Sequence, residues 1–525
     1  MSEGWSADRL FSTADQMSEV ASQLGPRLTH VINQLSGLNL NDRQIGRLAG
    51  IWLLHLVHHA QGVCMSAAQS FHMRESPTSG NILIHIDRSE QAHAMRCDTS
   101  YRLAVESFIS QIWTGKQLPD AIVFKRVSPA KPSRGEQSPL QPLHGIQRNL
   151  TKNKRSIWIV DPYLKLKRRQ VLAAVLKSRR KVFWAGGSGS FELDHIAIDA
   201  DARVRLANEE LVEDFTSLVS SLIPLFIPIG YAEALSTCRQ QLESVAPKPP
   251  RILYTATGIQ TSHVVQVASS LWDERRTKLC VHQHGGHSGL DKIHGLEDHE
   301  VAVSDSFFTF GWQDGRPSVR PLAIAIPRQR RKRPKLRLLI MSLDATPYLY
   351  RFQPFCVPEH VTSCVGETHD FLNECNLPLT TVIRSEYSTF LQLKSACSIL
   401  EWEPIKGSGP RSAANSTLVV HNYLGTSWLE TLAMDIPTVC FIPKNIHRFR
   451  ESAQPFADAL IRVGVLHDSG RSAARFVNSL GGDSSGWWKS SEVQEARQAF
   501  VARYANFSDD WLDAWLAEFE RILAE

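Results

Sequence analysis

An alternation of short apolar runs with helical stretches, repeated in two series from about residue 156 onward, most narrows the folds open to this 525-residue chain. In the first series Ser156–Asp161 (SIWIVD), Lys181–Gly187 (KVFWAGG), Arg251–Gly258 (RILYTATG) and Lys278–Gly286 (KLCVHQHGG) are apolar runs that stop at turn residues. Helical stretches around Gln170–Ser178, Glu209–Leu222 and His263–Asp273 separate several of them. Strands alternating with helices form βαβ units, whose strands lie parallel. A second series opens with Leu336–Asp344 and continues through Leu379–Tyr387, Ser416–Asn422 and Pro437–Pro443. Parallel sheets bind ligands outside the carboxyl ends of their strands, so the turn residues closing each run are the first places to look for function.

A chain of this length exceeds one ordinary core. The prediction is an α/β protein with two Rossmann-like domains, a first at 76–326 and a second at 336–489. They are joined by a basic, proline-flanked linker at 327–335 (PRQRRKRPK). Residues 1–75 form an N-terminal helical extension, in which Ile45, Leu48, Ile51, Trp52 and Leu56 recur at helical spacing. The stretch Ser76–Arg155 is mixed, with a strand candidate at Ile82–Ile86 and a Pro/Ser-rich loop at Ser128–Pro142. Residues 490–525 form a C-terminal helical segment whose Trp511, Trp515, Phe519 and Ile522 make one apolar stripe.

Net charge is only +5, but basic residues bunch at Lys152–Arg155, Lys165–Arg169, Lys177–Lys181 and Arg328–Lys335. Such bunching suits a phosphate-bearing ligand or an anionic membrane surface, or is simply solvated. No nucleic-acid partner is expected. Nine cysteines without regular spacing fit a reducing cytoplasm. The N-terminus lacks the basic and apolar regions of a signal peptide. Leu218–Leu235 is the most membrane-like stretch, but Pro224 and Pro228 interrupt it. It reads as a buried helix end and turn, so any contact with the inner membrane is peripheral.

Ser416–Pro443 (STLVVHNYLGTSWLETLAMDIPTVCFIP) is the most readable unit: strand, turn at Asn422–Gly425, helix from about Ser427, then the next strand. That geometry aims helix N-terminal N–H groups at the end of a sheet, where an anion meets the dipole and unpaired donors. Gly425 permits close backbone approach, and Thr426 and Ser427 add hydroxyls. An alternative is a capping box, with Ser427 as N-cap and Glu430 at N3 satisfying each other's backbone.

Cys280–Gly295 (CVHQHGGHSGLDKIHG) places four histidines and paired glycines at a strand end. It allows three readings. His282 and His284, on one face of an extended segment, join His287, Asp291 or His294 as zinc ligands, although no strong metal spacing is present. Alternatively Gln283, His284, Gly285 and Gly286 form a cleft loop, with a neutral His accepting a proton from an acceptor hydroxyl. The third reading is a polar turn.

HQHGGHSG followed by Glu297–Trp312 (EDHEVAVSDSFFTFGW) resembles the signature of a bacterial family of surface-polysaccharide and O-antigen transferases, first described in spirochaetes. There a Q-H-G-G-x-x-G loop precedes an acidic stretch, S-D, aromatic residues and G-W. Leu38–Val57 is similar to the family's N-terminal helical motif, and Tyr348–Phe355 (YLYRFQPF) to an aromatic–Arg segment. Val419–Val439 is similar to its G-T-x-x-L-E-x-L-A-x-x-I-P-T block. His282 and His287 lie outside the pattern.

The resemblance implies a cytoplasmic, GT-B-like glycosyltransferase of lipopolysaccharide or capsule assembly, moving sugar from a nucleotide-sugar donor to a saccharide or lipid-linked acceptor. Gly425, Thr426 and Ser427 would hold the donor phosphate, with Glu430 toward the ribose. Arg384, which resembles an Arg at a strand end in the family, would neutralise a donor phosphate or sugar carboxylate. His284 is the first candidate for the general base and Asp305 the second. No Asp-x-Asp motif stands at a matching strand end, so a metal-independent mechanism without cofactor is expected, the nucleotide-sugar being a co-substrate. A nucleotide-sugar epimerase or hydrolase on the same scaffold, a zinc hydrolase and a non-catalytic assembly scaffold are the competing readings.

Overall fold

The structure, a computed structural model, describes residues 6–69, 82–86, 99–113, 122–126, 156–162, 177–178, 182–185, 190–193, 196–325, 335–343, 349, 351–443 and 446–525. Helices α1 (Ala7–Gln23), α2 (Gly25–Ser36), α3 (Asp42–Gln69) and α4 (Thr99–Trp113) make up the amino-terminal part. Every residue from Ile51 to Ala60 of α3 is buried. A helix apolar on nearly all sides needs neighbours on all sides, and α3 packs against the other three helices and the first sheet's layer. Strands β1 (Ile82–Ile86) and β2 (Ile122–Arg126) pair in parallel as a sheet of their own. Ile82–Ile86 is therefore a strand, but it stands apart from the first domain's main sheet. Ser128–Pro142, Lys152–Arg155 and Lys165–Arg169 lie outside the described residues, as does nearly all of the helical stretch expected at Gln170–Ser178.

The first domain is built on six parallel strands in the order β4-β3-β5-β6-β7-β8. These are β3 (Ile157–Val160), β4 (Val182–Ala185), β5 (Ile252–Thr255), β6 (Lys278–His282), β7 (Ser306–Thr309) and β8 (Val319–Pro321). Central strand β5 is buried at every position, as a sheet covered on both faces requires. The membrane-like stretch begins in helix α5 (Phe215–Phe226), buried from Leu218 onward, and leaves the helix before Pro228. Helix α6 (His263–Leu271) lies between β5 and β6, and α7 (Gly295–Val303) between β6 and β7. Among the described residues no helix is long and apolar enough to cross a membrane.

After a two-residue strand β9 (Ile324–Ala325), the second sheet has the order β12-β11-β10-β13-β14-β15, again all parallel. Its strands are β10 (Lys335–Met341), β11 (Thr380–Ser385), β12 (Glu401–Pro404), β13 (Ser416–His421), β14 (Thr438–Phe441) and β15 (Leu466–His467). Numbered within the domain this order is 3-2-1-4-5-6, the doubly wound arrangement whose direction reverses between β10 and β13. The loops that leave these two strands flank the reversal point. Helix α8 (Pro358–Glu374) follows the first and α9 (Thr426–Ala433) the second.

The carboxyl-terminal segment divides between the domains. Helix α10 (Ser491–Tyr504) packs on α9, with Trp428 4.9 Å from Phe500 between ring centroids. The chain then pairs β16 (Phe507–Ser508) with β9 and lays α11 (Trp511–Ala524) on the first domain. There the predicted stripe of Trp511, Trp515, Phe519 and Ile522 is buried, and Trp515 donates from Nε1 to Ala323 O at 2.8 Å.

Candidate active site

Strand β13 ends at His421, and Asn422 knits the two loops at the reversal point together. Its Oδ1 accepts from Leu343 N at 2.7 Å and its Nδ2 donates to Thr368 Oγ1 at 2.9 Å. Gly425 is the N-cap of α9, extended at φ −102° and ψ 179°, and no side chain caps the helix. A Cβ at 425 would fall 2.2 Å from the Tyr423 ring, so any larger residue would have to displace that ring.

The capping box is thereby displaced. With Thr426 as first helical residue, Ser427 is second and Glu430 fifth, too far along to reach back to the cap. The carbonyl of Gly425 accepts from Trp428 N at 3.1 Å, and the first N–H groups of the helix meet no capping side chain. Glu430 is half-buried, and among the described residues no group hydrogen-bonds or ion-pairs with its carboxylate. Burial pushes that carboxyl up to about 7.

The loop after β6 reaches this helix start. A Cβ on Gly286 would fall 2.3 Å from Gly425 C, and Thr426 Oγ1 donates to His284 O at 3.4 Å. The side chain of Gln283 turns inward and braces the loop: Oε1 accepts from Phe310 N at 2.9 Å and from Trp312 Nε1 at 2.8 Å, and Nε2 donates to Gly285 O at 2.8 Å. Trp312 in turn lies where any Cβ on Gly289 would be, and Glu297 Oε2 accepts from Gly289 N at 2.7 Å. The Q-H-G-G-x-x-G and G-W blocks are therefore one hydrogen-bonded unit. His284 is half-buried; burial first, and the Arg351 charge second, push its ring down to about 4, against hydrogen bonds to the Ala256 and His282 backbones. It is neutral at pH 7.

Two expected site residues lie elsewhere. Asp305 precedes β7 and faces the start of β6, at the amino end of the sheet, where its Oδ2 accepts from Leu279 N at 2.8 Å. Arg43 and Arg47 of α3 each reach it at 2.8 Å, so it clamps the helical extension to the sheet, at the end opposite the carboxyl ends of the strands. Arg384 stands at the end of β11, but its guanidinium is spent on Glu403 Oε1 and on the carbonyls of Pro404, Ile405 and Gly407. Those bonds fix the loop after β12 and leave little for a donor phosphate.

The histidines part company as well. His282 points into an aromatic core of Tyr254, Phe308, Phe310 and Trp515, with Nε2 2.9 Å from Leu322 O. His294 caps α7, its Nδ1 accepting from Glu297 N at 3.1 Å. His287 does pair with Asp291, one of the residues the zinc reading grouped with it, and with a third residue that sequence reasoning missed. Fully buried Asp291 lies 3.2 Å from His287 Nδ1 and 2.7 Å from His447 Nε2, and His447 belongs to the second domain. Burial alone would push the Asp291 carboxyl up; the two facing histidines outweigh it and hold it well below the usual carboxylate range. The i, i+4 spacing of His287 and Asp291 was a visible signal, whereas His447 had none. Among the described residues no group of three or more His, Cys, Asp or Glu is placed to hold a metal ion.

A family model described as the LIC12162 family transferase matches residues 2–519. The chain belongs to this family. Membership covers both sheets, the helical extension and most of the last helix, so the loop after β6 and the start of α9 meet within one family transferase. No curated protein matches the chain. Solved structures similar to this family member include MurG of Acinetobacter baumannii, at 8% identity over 70% of this chain and 99% of that one (TM-score 0.37). Another is Alr3699/HepE of Anabaena in complex with UDP-glucose, at 12% identity over 70% and 99% (TM-score 0.39). A UDP-N-acetylglucosamine 2-epimerase matches at 7% identity over 71% and 97% (TM-score 0.37). Likenesses this distant assign neither donor nor acceptor.

Proposed function

We propose that the protein transfers a glycosyl group from a nucleotide-sugar to a lipid-linked or growing saccharide acceptor, in the assembly of bacterial surface polysaccharide such as O-antigen or capsule. The observation that carries this reading is the start of α9, a helix N-terminus with no side-chain cap beside a half-buried carboxylate that no described group engages. Anionic phosphate suits the first, and the hydroxyls of a ribose suit the second.

In this reading the donor phosphates meet the N–H groups of Thr426 and Ser427 and their hydroxyls, and Glu430 accepts hydrogen bonds from the ribose. The acceptor enters from the loop after β6. Its hydroxyl oxygen bonds to the anomeric carbon while the bond from that carbon to the phosphate oxygen breaks, and the electron pair leaves with the phosphate. Charge growing on that oxygen is stabilised by the helix dipole, already oriented before reaction. His284, neutral at pH 7, is the proposed acceptor of the hydroxyl proton. The reaction belongs to the cytoplasm, with any contact to the inner membrane peripheral.

The test is a thermal-shift panel of CMP, UDP, GDP and dTDP on purified protein and on Glu430→Ala. A ligand that binds only the folded state raises the melting temperature. One nucleotide is expected to stabilise the parent protein and to lose most of that effect in the variant. If no nucleotide stabilises the parent, the reading fails.

A further inference from the structure

We propose that Asp291 is a positioning residue for the transfer reaction: through His447 and Arg450 of the second domain it sets where the loop carrying His284 stands relative to the start of α9. This rests on the transferase reading and adds to it a residue that does not touch substrate.

The loop after β6 docks on the second domain twice. Its front edge is the contact of Gly286 with Gly425, beside the bond from Thr426 Oγ1 to His284 O. Behind Gly286 the chain makes a single turn, with Leu290 N and Asp291 N both donating to His287 O at 3.0 Å, and then pairs with the segment after β14. Lys292 N donates to Arg448 O and Arg450 N to Leu290 O, each at 2.9 Å, on either side of an antiparallel bridge between Asp291 and Phe449. Backbone bonds that flank a pair in this way fix register as well as proximity. Domains of one chain move relative to each other by default, by hinge or shear, and a backbone ladder between them opposes that motion.

Asp291 stands at the centre of the join. Its side chain is fully buried, out of reach of substrate, with Oδ1 2.7 Å from His447 Nε2 and Oδ2 3.2 Å from His287 Nδ1. Its carbonyl accepts from Arg450 Nε at 2.7 Å. The same guanidinium lies 2.8 Å from Glu297 Oε1, and the other oxygen of that buried carboxylate holds Gly289 N. Two buried carboxylates of the first domain therefore draw partners from the second. Phe355 completes the cluster, its ring 5.4 Å from His287 and 5.8 Å from His447. Parting the domains here would take His447 and Arg450 away, and a buried carboxylate that loses its partner is strongly destabilised. The cluster thus favours the arrangement in which Gly286 meets Gly425.

The consequence falls on rate rather than on donor binding. Thr426, Ser427 and Glu430, the proposed phosphate and ribose contacts, all lie in α9 of the second domain and do not need the join. His284 comes from the first domain, so its distance from the donor depends on the docking. A misplacement of about 1 Å between reacting groups costs on the order of 100-fold in rate.

The test uses full-length Asp291→Ala, His447→Ala and His447→Gln, the last keeping an N–H donor for the Asp291 carboxylate. Turnover, affinity for the nucleotide that stabilises the parent, and amide hydrogen exchange are measured on each. In both alanine variants kcat should fall roughly 10- to 100-fold while nucleotide affinity stays within about twofold of the parent's. Exchange over 287–292 and 446–450 should quicken together while that of β13 does not, and His447→Gln should recover most of the turnover. Parental turnover in both alanine variants overturns the proposal, as does a loss of nucleotide affinity as large as the loss in kcat, or a His447→Gln no faster than His447→Ala. Should Asp291→Ala not fold, the two His447 variants carry the test. A parent that binds nucleotide but transfers no sugar overturns the transferase reading; exchange then stands alone, and unchanged exchange over both segments overturns the join as well.

Discussion

The backbones of Gly286 and Gly425 touch. A Cβ on Gly286 would fall 2.3 Å from Gly425 C, 2.5 Å from its carbonyl oxygen and 2.6 Å from Thr426 N. The contact joins the loop after β6 to the start of α9, and neither partner has a flexible side chain that gives way. Gly286→Ala is therefore expected to destabilise the protein by about 1–3 kcal/mol and to push the two loops apart. Its nucleotide-induced thermal shift should fall well below the parent's. Gly285→Ala is the control, since nothing lies within 4 Å of its Cβ position. Equal melting temperatures for the two variants would contradict the contact.

Glu430 makes stability depend on pH in a defined direction. Burial raises its folded pKa from 4.5 to about 7, so between those values the folded state holds more proton than the unfolded. Stability from this group is complete below the unfolded value and is lost as pH rises through the folded one. Glu430→Gln removes that loss. Its advantage over the parent should grow from near zero at pH 4.5 to about 1–3 kcal/mol at pH 8, while nucleotide binding weakens. Denaturant titrations at both pH values check it; a constant difference would place the carboxylate in water.

Asp305 predicts the opposite pairing of effects. Asp305→Asn leaves the buried Arg47 and its neighbour Arg43 with only Asp273 of the two carboxylates they share, at a cost of about 1–3 kcal/mol. Activity per folded molecule should stay at the parent's level. A large fall in turnover with unchanged stability would return Asp305 to the chemistry.

Gln283→Ala strands the Phe310 N–H and the Trp312 indole N–H in the interior. Two lost acceptors at about 1–2 kcal/mol each predict a melting temperature well below the parent's. Retained stability would mean that water takes over both bonds.

The alternation of apolar runs and helices was legible because parallel strands buried on both faces must be apolar throughout; eight of the twelve main strands lie in runs that the sequence shows. The exceptions include β7, whose SFFT lies inside the block resembling the family signature, and β12, whose EWEP looks like a loop because it pairs on one side only. Gly425, Thr426 and Glu430 were legible as a strand-loop-helix unit. Asp305 was read from the block resembling the family signature and Arg384 from its strand-end position, and a sequence does not say at which end of the sheet a side chain lies or which guanidinium is already bonded. The link from Asp291 to His447 was invisible, since it crosses between domains.

The most direct test of the account follows label. Purified protein is incubated with a radiolabelled form of the nucleotide-sugar that stabilises it and with membranes or oligosaccharide from a polysaccharide-producing cell, and label is followed into the acceptor. The account predicts incorporation that depends on protein and is lost in Glu430→Ala. Label recovered at the same rate as free or altered sugar without acceptor, or equal incorporation by the variant, would contradict it.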